Sequence, residues 1–221
     1  MLKIDLHVHT YYSRDAGTTL EEVIAYSKKR RLDGVAITDH DTLKGALKLT
    51  NQEKLIVIPG IEITTSDGHV LALNVYEEIP SKMTLPETIL AIHKLGGIAV
   101  AAHPKAIYGG IRQQITSSLG FDAIEVINSS AFPFSFSTYQ SRKVALQLGL
   151  PQVAGSDAHY PSEIGFAYTL VDADPDADEI VHAIKRGATI PCGRPLPWKL
   201  RLESQCSKLK IRINEYSAEY L

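Results

Sequence analysis

Asp5-Leu6-His7-Val8-His9 places a carboxylate and two imidazoles at alternate positions on an apolar, β-branched run over Leu2–Val8. Alternate side chains of a strand share a face, so Asp5, His7 and His9 point one way and Ile4, Leu6 and Val8 the other. Two imidazoles one pleat apart can grip one metal ion, and Asp5 is placed to orient one of them from behind. Alone, a His-x-His pair is better explained as a polar strand end. The pattern recurs, however. Asp157 and His159 stand two apart just after the apolar run at Gln152–Ala154, and Thr38-Asp39-His40-Asp41 follows Val35–Ile37. Gly60-Ile61-Glu62 follows Ile56–Ile58, and Ala102-His103-Pro104 follows Ile98–Val100. Each group puts an imidazole or a carboxylate at the C-terminal end of a different predicted strand. Ionisable groups are rarely buried without partners, so coincidence explains this series poorly and convergent metal ligation explains it well.

Such ends meet only if the strands are suitably arranged. Further apolar runs at Gly34–Thr38, Leu55–Ile63, Val70–Val75, Ile98–Ala102, Ala123–Ile127, Gln152–Ala154 and Ala167–Val171 alternate with helix signals. Thr19 caps a predicted helix through Leu20, Val23, Ile24 and Ser27, and Thr42 caps one through Leu43, Leu47 and Leu49. Others run from Thr84 to Gly96-Gly97, over Ile111–Leu119 and over Ser137–Leu148, and the last opens at Asp174-Pro175 and closes at Gly187. This alternation predicts an α/β fold with a parallel sheet, either an open doubly wound sheet or a closed barrel. About seven βα units fit the 221 residues, whereas a full eightfold barrel takes ~250. The turn His9-Thr10-Tyr11-Tyr12-Ser13 holds no phosphate-cradling glycine fingerprint, which weakens the nucleotide-binding open sheet. In a barrel, the C-terminal strand ends form one mouth. After Arg194 the pattern changes to alternation at Leu200-Arg201-Leu202 and Leu209–Ile213. The expected organisation is therefore a barrel over residues 1–193 and a short C-terminal β extension, a hairpin, over 194–221.

Composition narrows the function classes. With 44% hydrophobic and 22% charged residues, the chain matches an ordinary globular domain. Its 23 Lys+Arg against 25 Asp+Glu leave a formal net charge of -2, no global reason to bind nucleic acid. The run Lys28-Lys29-Arg30-Arg31 falls at a predicted helix end rather than at the mouth. Cys192 and Cys206 form neither a C-x-x-C pair nor a disulfide framework, which points to a reducing compartment and away from zinc–thiolate chemistry. No apolar run approaches ~18 residues, and Met1–Asp5 is too polar to open a secretion signal. A cytoplasmic location without a membrane partner is expected; the oligomeric state is not legible.

The series Asp5-Leu6-His7-Val8-His9-Thr10, Ser13 with Asp15, Thr38-Asp39-His40, Gly60-Ile61-Glu62, Ala102-His103-Pro104 and Ser156-Asp157-Ala158-His159 resembles the motifs of the polymerase and histidinol phosphatase (PHP) superfamily. Order and approximate spacing match from residue 2 to about 193. The resemblance implies a distorted, TIM-like (β/α)7 barrel with two or three divalent ions at its mouth, and phosphoesterase chemistry. It implies that His7, His9, Glu62 and Asp157 hold one ion, with Glu62 able to bridge to a neighbour. Asp15 would pair with His40 on a second. His103 and His69, which opens the next strand, would serve a third. His159 completes the cluster and is also the candidate proton donor to the leaving group. Glu125 and Asn128 cover a position where some members carry a further ligand. Alternation puts them on opposite faces, so at most one should face the cluster; Glu125 is expected behind a ligand and Asn128 against substrate. Lys105 and Arg194, near strand ends, are candidates for contacting phosphate oxygens. His93 and His182 fall inside predicted helices and serve as internal controls.

Mixed imidazole and carboxylate donors suit Zn, Mn or Fe better than magnesium. Ions ~3.5–4 Å apart can generate a metal-bound hydroxide near neutral pH and clamp the attacking and leaving oxygens of an in-line displacement. Serine, cysteine and P-loop nucleophile motifs are absent. The expected function is therefore hydrolysis of a phosphate ester of a small metabolite or nucleotide. A 3'-5' exonuclease acting on nucleic-acid ends and a non-catalytic metal-binding module are the alternatives. An amidohydrolase would need a bridging lysine that no predicted strand end carries.

Overall fold

In the computed structural model, which describes residues 1–50 and 55–204, apolar runs and capped helices alternate as the sequence pattern requires. The order is β1 (Leu2–Val8), α1 (Leu20–Lys29), β2 (Gly34–Ile37), α2 (Lys44–Leu49), β3 (Ile56–Thr64), β4 (His69–Leu73), α3 (Leu85–Lys94) and β5 (Ile98–Ala101). There follow β6 (Ala123–Asn128), α4 (Phe134–Leu148), β7 (Gln152–Gly155), β8 (Ala167–Val171), α5 (Ala177–Lys185) and β9 (Thr189–Gly193). Capping boxes fix two helix starts, Thr19 with Glu22 on α1 and Thr84 with Glu87 on α3. At α5 the cap is Asp176, whose carboxylate accepts from the N–H groups of Asp178 and Glu179; Asp174-Pro175 lies just upstream of it. The helix expected over Ile111–Leu119 is absent apart from a short 3-10 turn at Ser117–Leu119. Ile111 and Ile115 carry helical spacing, but both are buried from an irregular segment.

The nine strands form one curled sheet in the order β7-β6-β5-β4-β3-β2-β1-β8-β9. β1-β2-β3 and β5-β6-β7 are parallel, but β4 runs antiparallel to both its neighbours. The reason is local: the hydroxyl and N–H of Thr65 both bond the Gly68 carbonyl, at 2.6 and 3.0 Å, in a tight turn that leaves no room for a crossover helix. The reversal matters. His69, the first residue of β4, pairs with Thr64 and so lies at the same end as the last residues of the parallel strands.

The sheet nearly closes on itself. At the mouth, the segment after β7 bonds directly to β1: Asp157 N–H donates to the His7 carbonyl at 2.8 Å and His9 N–H to the Ala158 carbonyl at 2.9 Å. Lower down, the β8–β9 hairpin fills the gap. The Thr169 hydroxyl bridges both main-chain groups of Ala154, at 2.8 and 2.9 Å, and the Thr189 hydroxyl donates to Gln152 at 2.9 Å. β9 escaped the sequence pattern because Pro191 and Gly193 interrupt it, which an edge strand tolerates.

Two apolar layers hold this arrangement. The outer one packs Val35, Ile37 and Ile61 of the sheet against Val23, Leu49 and Ile89 of α1 to α3. The inner one joins Ile4, Leu6, Ile58, Leu71 and Val153 to Ile180, Val181 and Ile184, so α5 plugs the end of the barrel opposite the mouth. Ile4 and Leu6 are inner but Val8 is outer, because the β1–β2 register shifts between Asp5 and Val8. That irregularity corrects the expected simple alternation along β1.

Residues 198–204 are helical, so Leu200-Arg201-Leu202 is not a strand; Leu209–Ile213 lies outside the described residues. Among the described residues no helix is long and apolar enough to cross a membrane.

Candidate metal centre

A cavity of about 620 Å³ opens at the mouth, lined by Asp15, His40, Glu62, His69, His103, Asp157 and His159 among others. His7 and His9 lie at its floor, fully buried. The strand ends thus bring together every candidate ligand. Glu62 is the hub. Its Oε2 lies 3.4, 3.2 and 3.0 Å from His7 Nε2, His9 Nε2 and His40 Nδ1, and its Oε1 lies 2.8 and 3.0 Å from His69 Nδ1 and His103 Nε2. Asp157 Oδ1 approaches His7 Nε2 at 3.5 Å and His9 Nε2 at 3.3 Å. Asp15 lies 3.8 Å from His40 Nε2 and 3.0 Å from His159 Nε2. Among the described residues, four donor sets have atoms close enough to share an ion: His7, His9, Glu62 and Asp157; His9, His40 and His159; His40, Glu62 and His69; and His7, His103 and Glu125.

Outer contacts fix the imidazole tautomers. His7 Nδ1 faces Glu125 Oε1 at 3.1 Å and His9 Nδ1 faces the Ser13 hydroxyl at 3.0 Å, while that hydroxyl donates to Asp39 at 2.9 Å. With Nδ1 donating, each ring turns the Nε2 lone pair inward. The two Nε2 atoms are then 3.1 Å apart and face two carboxylate oxygens, one of which, Glu62 Oε2, is buried without a hydrogen bond. Lone pairs gathered this way fit a cation. In its absence protons serve. Burial alone would push His9 down, yet the Asp157 and Glu62 carboxylates against its Nε2 hold it up at about 9. His7 and His69 are likewise raised by the surrounding carboxylates against burial, whereas burial takes His40 down to about 3. A divalent ion entering near neutral pH must displace such protons, so its affinity should rise with pH. Titration calorimetry in buffers of different ionisation enthalpy should register proton release, about one or more per protein. Ser13→Ala removes the partner of His9 Nδ1 and should weaken metal binding about 10- to 100-fold, read by competition with a chromogenic chelator.

The backbone is shaped to this purpose. His103 and Asp157 adopt positive φ angles of 27 and 55°, held by bonds from their N–H groups to Glu125 Oε2 at 2.7 Å and to the His7 carbonyl at 2.8 Å. Gly155 permits a close approach, since a Cβ there would strike the Cβ of His7 and lie 2.9 Å from Glu125 Oε1.

Other sequence expectations fare differently. Asp5 does not touch the imidazole rings; it accepts the N–H groups of Ser156 and Gly165, both at 2.8 Å, and so fixes the backbone beside Asp157, with burial raising it to about 6. Glu125 and Asn128 lie on the same side, contrary to alternation, because the β6–β7 register shifts between Glu125 and Ile127. Asn128 Nδ2 donates to Glu125 at 3.1 Å and to Asp157 at 3.3 Å from a buried position. Lys105 lines a neighbouring cavity with Thr65 and Arg112. Arg194 lies on the barrel wall, 4.9 Å over the Phe166 ring, beside Lys3 and Arg30. Neither cation lines the mouth; Arg201 does. Glu163 also escaped notice. It accepts the His159 N–H at 2.8 Å, and its only signal is the Tyr160-Pro161 turn before it. His93 bonds Asp122 at 2.8 Å on α3, and His182 lies on α5.

Comparison with known proteins agrees with this geometry. Residues 5–116 match the PHP domain family and residues 138–189 the PHP-associated family. An uncharacterized protein of Methanocaldococcus jannaschii is 33% identical over 141 residues, 58% of this chain and 82% of its own length. A Caldicellulosiruptor bescii protein named "Probable phosphatase" is 26% identical over 198 residues, 74% of this chain and 82% of that one. Among solved structures, a two-domain Bacteroides vulgatus protein, described as containing a "predicted PHP-like metal-dependent phosphoesterase", shares the fold. Its TM-score is 0.73 at 18% identity, over 87% of this chain and 65% of the other. A barrel with β4 reversed among its parallel strands, imidazoles and carboxylates at its mouth, and a family match over half its length make this chain a member of the PHP domain family.

Proposed function

We propose that the protein is a phosphoesterase that hydrolyses a phosphate ester of a small metabolite or nucleotide, using two or three divalent ions of Zn, Mn or Fe. The observation that carries this reading is the convergence of His7 Nε2, His9 Nε2, Glu62 Oε2 and Asp157 Oδ1 within reach of a single ion, a donor set of the type and charge that suits a divalent cation. Ions held there would lower the pKa of a bound water and neutralise charge on phosphoryl oxygens. The residues do the rest. His7, His9, Glu62 and Asp157 hold one position. His40, Asp15 and His159 flank a second, and His69 and His103 converge on Glu62 Oε1 at a third. His159, its Nδ1 against the Asp157 carbonyl at 3.1 Å and its Nε2 against Asp15, can carry a proton to the leaving oxygen. Residues 1–193 would form the catalytic unit and 194–221 an extension to it. The similarity to a protein named as a phosphatase supports the class of reaction.

A small substrate is favoured over a nucleic-acid strand. Among the described residues lining the mouth, Arg201 is the only Lys or Arg, whereas a groove tracking a phosphate backbone is lined by several. The test is phosphate release from p-nitrophenyl phosphate by protein loaded separately with each ion, with and without chelator. Chelator-sensitive turnover is expected; no turnover with any of the three ions would sink the reading.

A further inference from the structure

The guanidinium of Arg201 reaches the mouth from the helical segment 198–204, which no family match covers. Its Nη1 donates to the Ser130 carbonyl at 2.9 Å and its Nη2 to the Ser129 carbonyl at 3.3 Å. Both hydrogen-bond partners are uncharged, the Glu163 and Asp157 carboxylates act on the guanidinium without a hydrogen bond to it, and among the described residues three of its five N–H donors remain for a ligand. The side chain is also held in place. It lies 6.0 Å from the ring centres of both Phe132 and Trp198, which meet edge to face at 6.4 Å. The anchor connects to the metal centre, because the Ser130 hydroxyl donates to the Asp157 carbonyl at 3.0 Å. A fork fixed at both ends suits recognition of a planar or tetrahedral anion.

We propose that Arg201 is a substrate-binding residue and that the natural substrate carries a second anionic group, a carboxylate or a further phosphate, beyond the phosphate being cleaved. This rests on the phosphoesterase reading. The cleaved phosphate is served by the cations of the cluster, which needs no arginine. Arg201 instead lines the same cavity together with Phe132, Leu196 and Ser204, none of them a candidate metal ligand, and this part of the lining is available to the rest of a substrate. The segment 198–204 thereby acquires a role: it supplies the cation that selects the leaving group.

The test compares phenyl phosphate, neutral beyond its ester, with 4-carboxyphenyl phosphate and 1,4-phenylene bisphosphate on the metal-loaded full chain. The wild type should show a lower KM for one or both anion-bearing esters, and which of them gains identifies the second group. Arg201→Gln should raise that KM about 10- to 100-fold, the range of a hydrogen bond to a charged group, with kcat within about threefold and phenyl phosphate little changed. Arg201→Lys should fall between. Equal KM changes on all three esters, no change on any, or no wild-type preference would each overturn the proposal. Should Arg201→Gln lower the melting temperature, the wild-type preference and Arg201→Lys decide the matter. If no ester were turned over, the phosphoesterase reading would fail by itself. Calorimetric binding of methylenediphosphonate against methylphosphonate to the Mn-loaded protein then reads the second-anion site alone. An Arg201-dependent preference for the diphosphonate supports it, and equal affinity overturns it.

Discussion

Glu62→Gln should cut phosphoester turnover by at least about 10³-fold and leave the protein short of bound metal, as measured by atomic emission. The side chain keeps its volume, so the strand and the packing around it should survive. What changes is chemistry. Glu62 turns one oxygen towards His7, His9 and His40 and the other towards His69 and His103. An amide replaces one oxygen by a donor without a free lone pair and removes the charge, so one side of the hub loses its ligand. His93→Ala and His182→Ala should leave metal content and turnover unchanged, since those side chains lie on α3 and α5, away from the mouth. Retention of metal and rate by Glu62→Gln, or loss of both in the two controls, would place the centre elsewhere.

The second large effect is on stability. An ion that binds only the folded chain stabilises it by about 4 kcal/mol when free at a thousand times its dissociation constant. For a domain of this size each kcal/mol moves the melting temperature by about 2–4 °C, so chelation should lower it by roughly 8–16 °C. The drop should depend on pH, with a sign that follows from His9. Its folded-state value of about 9 lies above the ordinary 6.5. The stability it lends the metal-free fold is therefore complete below about pH 6.5 and is lost as pH rises through about 9. Over the same window metal affinity rises, because fewer protons compete. Thermal melts with chelator and with Mn should diverge progressively from pH 6.5 to pH 9. A gap that narrowed with pH would contradict the protonation described for the metal-free centre.

Much of the centre is legible in the sequence because its logic is positional. His9, His40, His103 and Asp157 each follow an apolar run, and in a barrel such ends coincide. The less legible features arise where the regular period fails. Register shifts in β1 and β6 put Leu6 and Val8 in different layers, turn Asp5 to the backbone and bring Glu125 and Asn128 to one side. No residue type announces these bulges. The reversal of β4 was hidden too, since its apolar run reads the same in either direction, although His69 at its start was a clue. Lys105 and Arg194 illustrate the limit of reasoning by sequence proximity. Both follow strand ends, but the chain carries one into a side cavity and the other onto the outer wall, while Arg201 arrives at the mouth on a segment whose alternation resembled a strand.

The seam between β1 and the segment after β7 has a consequence for how the molecule is made. His7 and His9 leave the ribosome before Asp157, which completes the candidate four-donor set with them and Glu62 and follows some 150 residues later. Joining the two costs the closure of about two thirds of the chain into a ring, the kind of long-range pairing that slows folding. At synthesis rates of about 5–20 residues per second these imidazoles wait about 7 to 30 seconds for Asp157. The full donor set is thus assembled late, after most of the barrel has been synthesised, and ion capture by it becomes a reporter of completed folding.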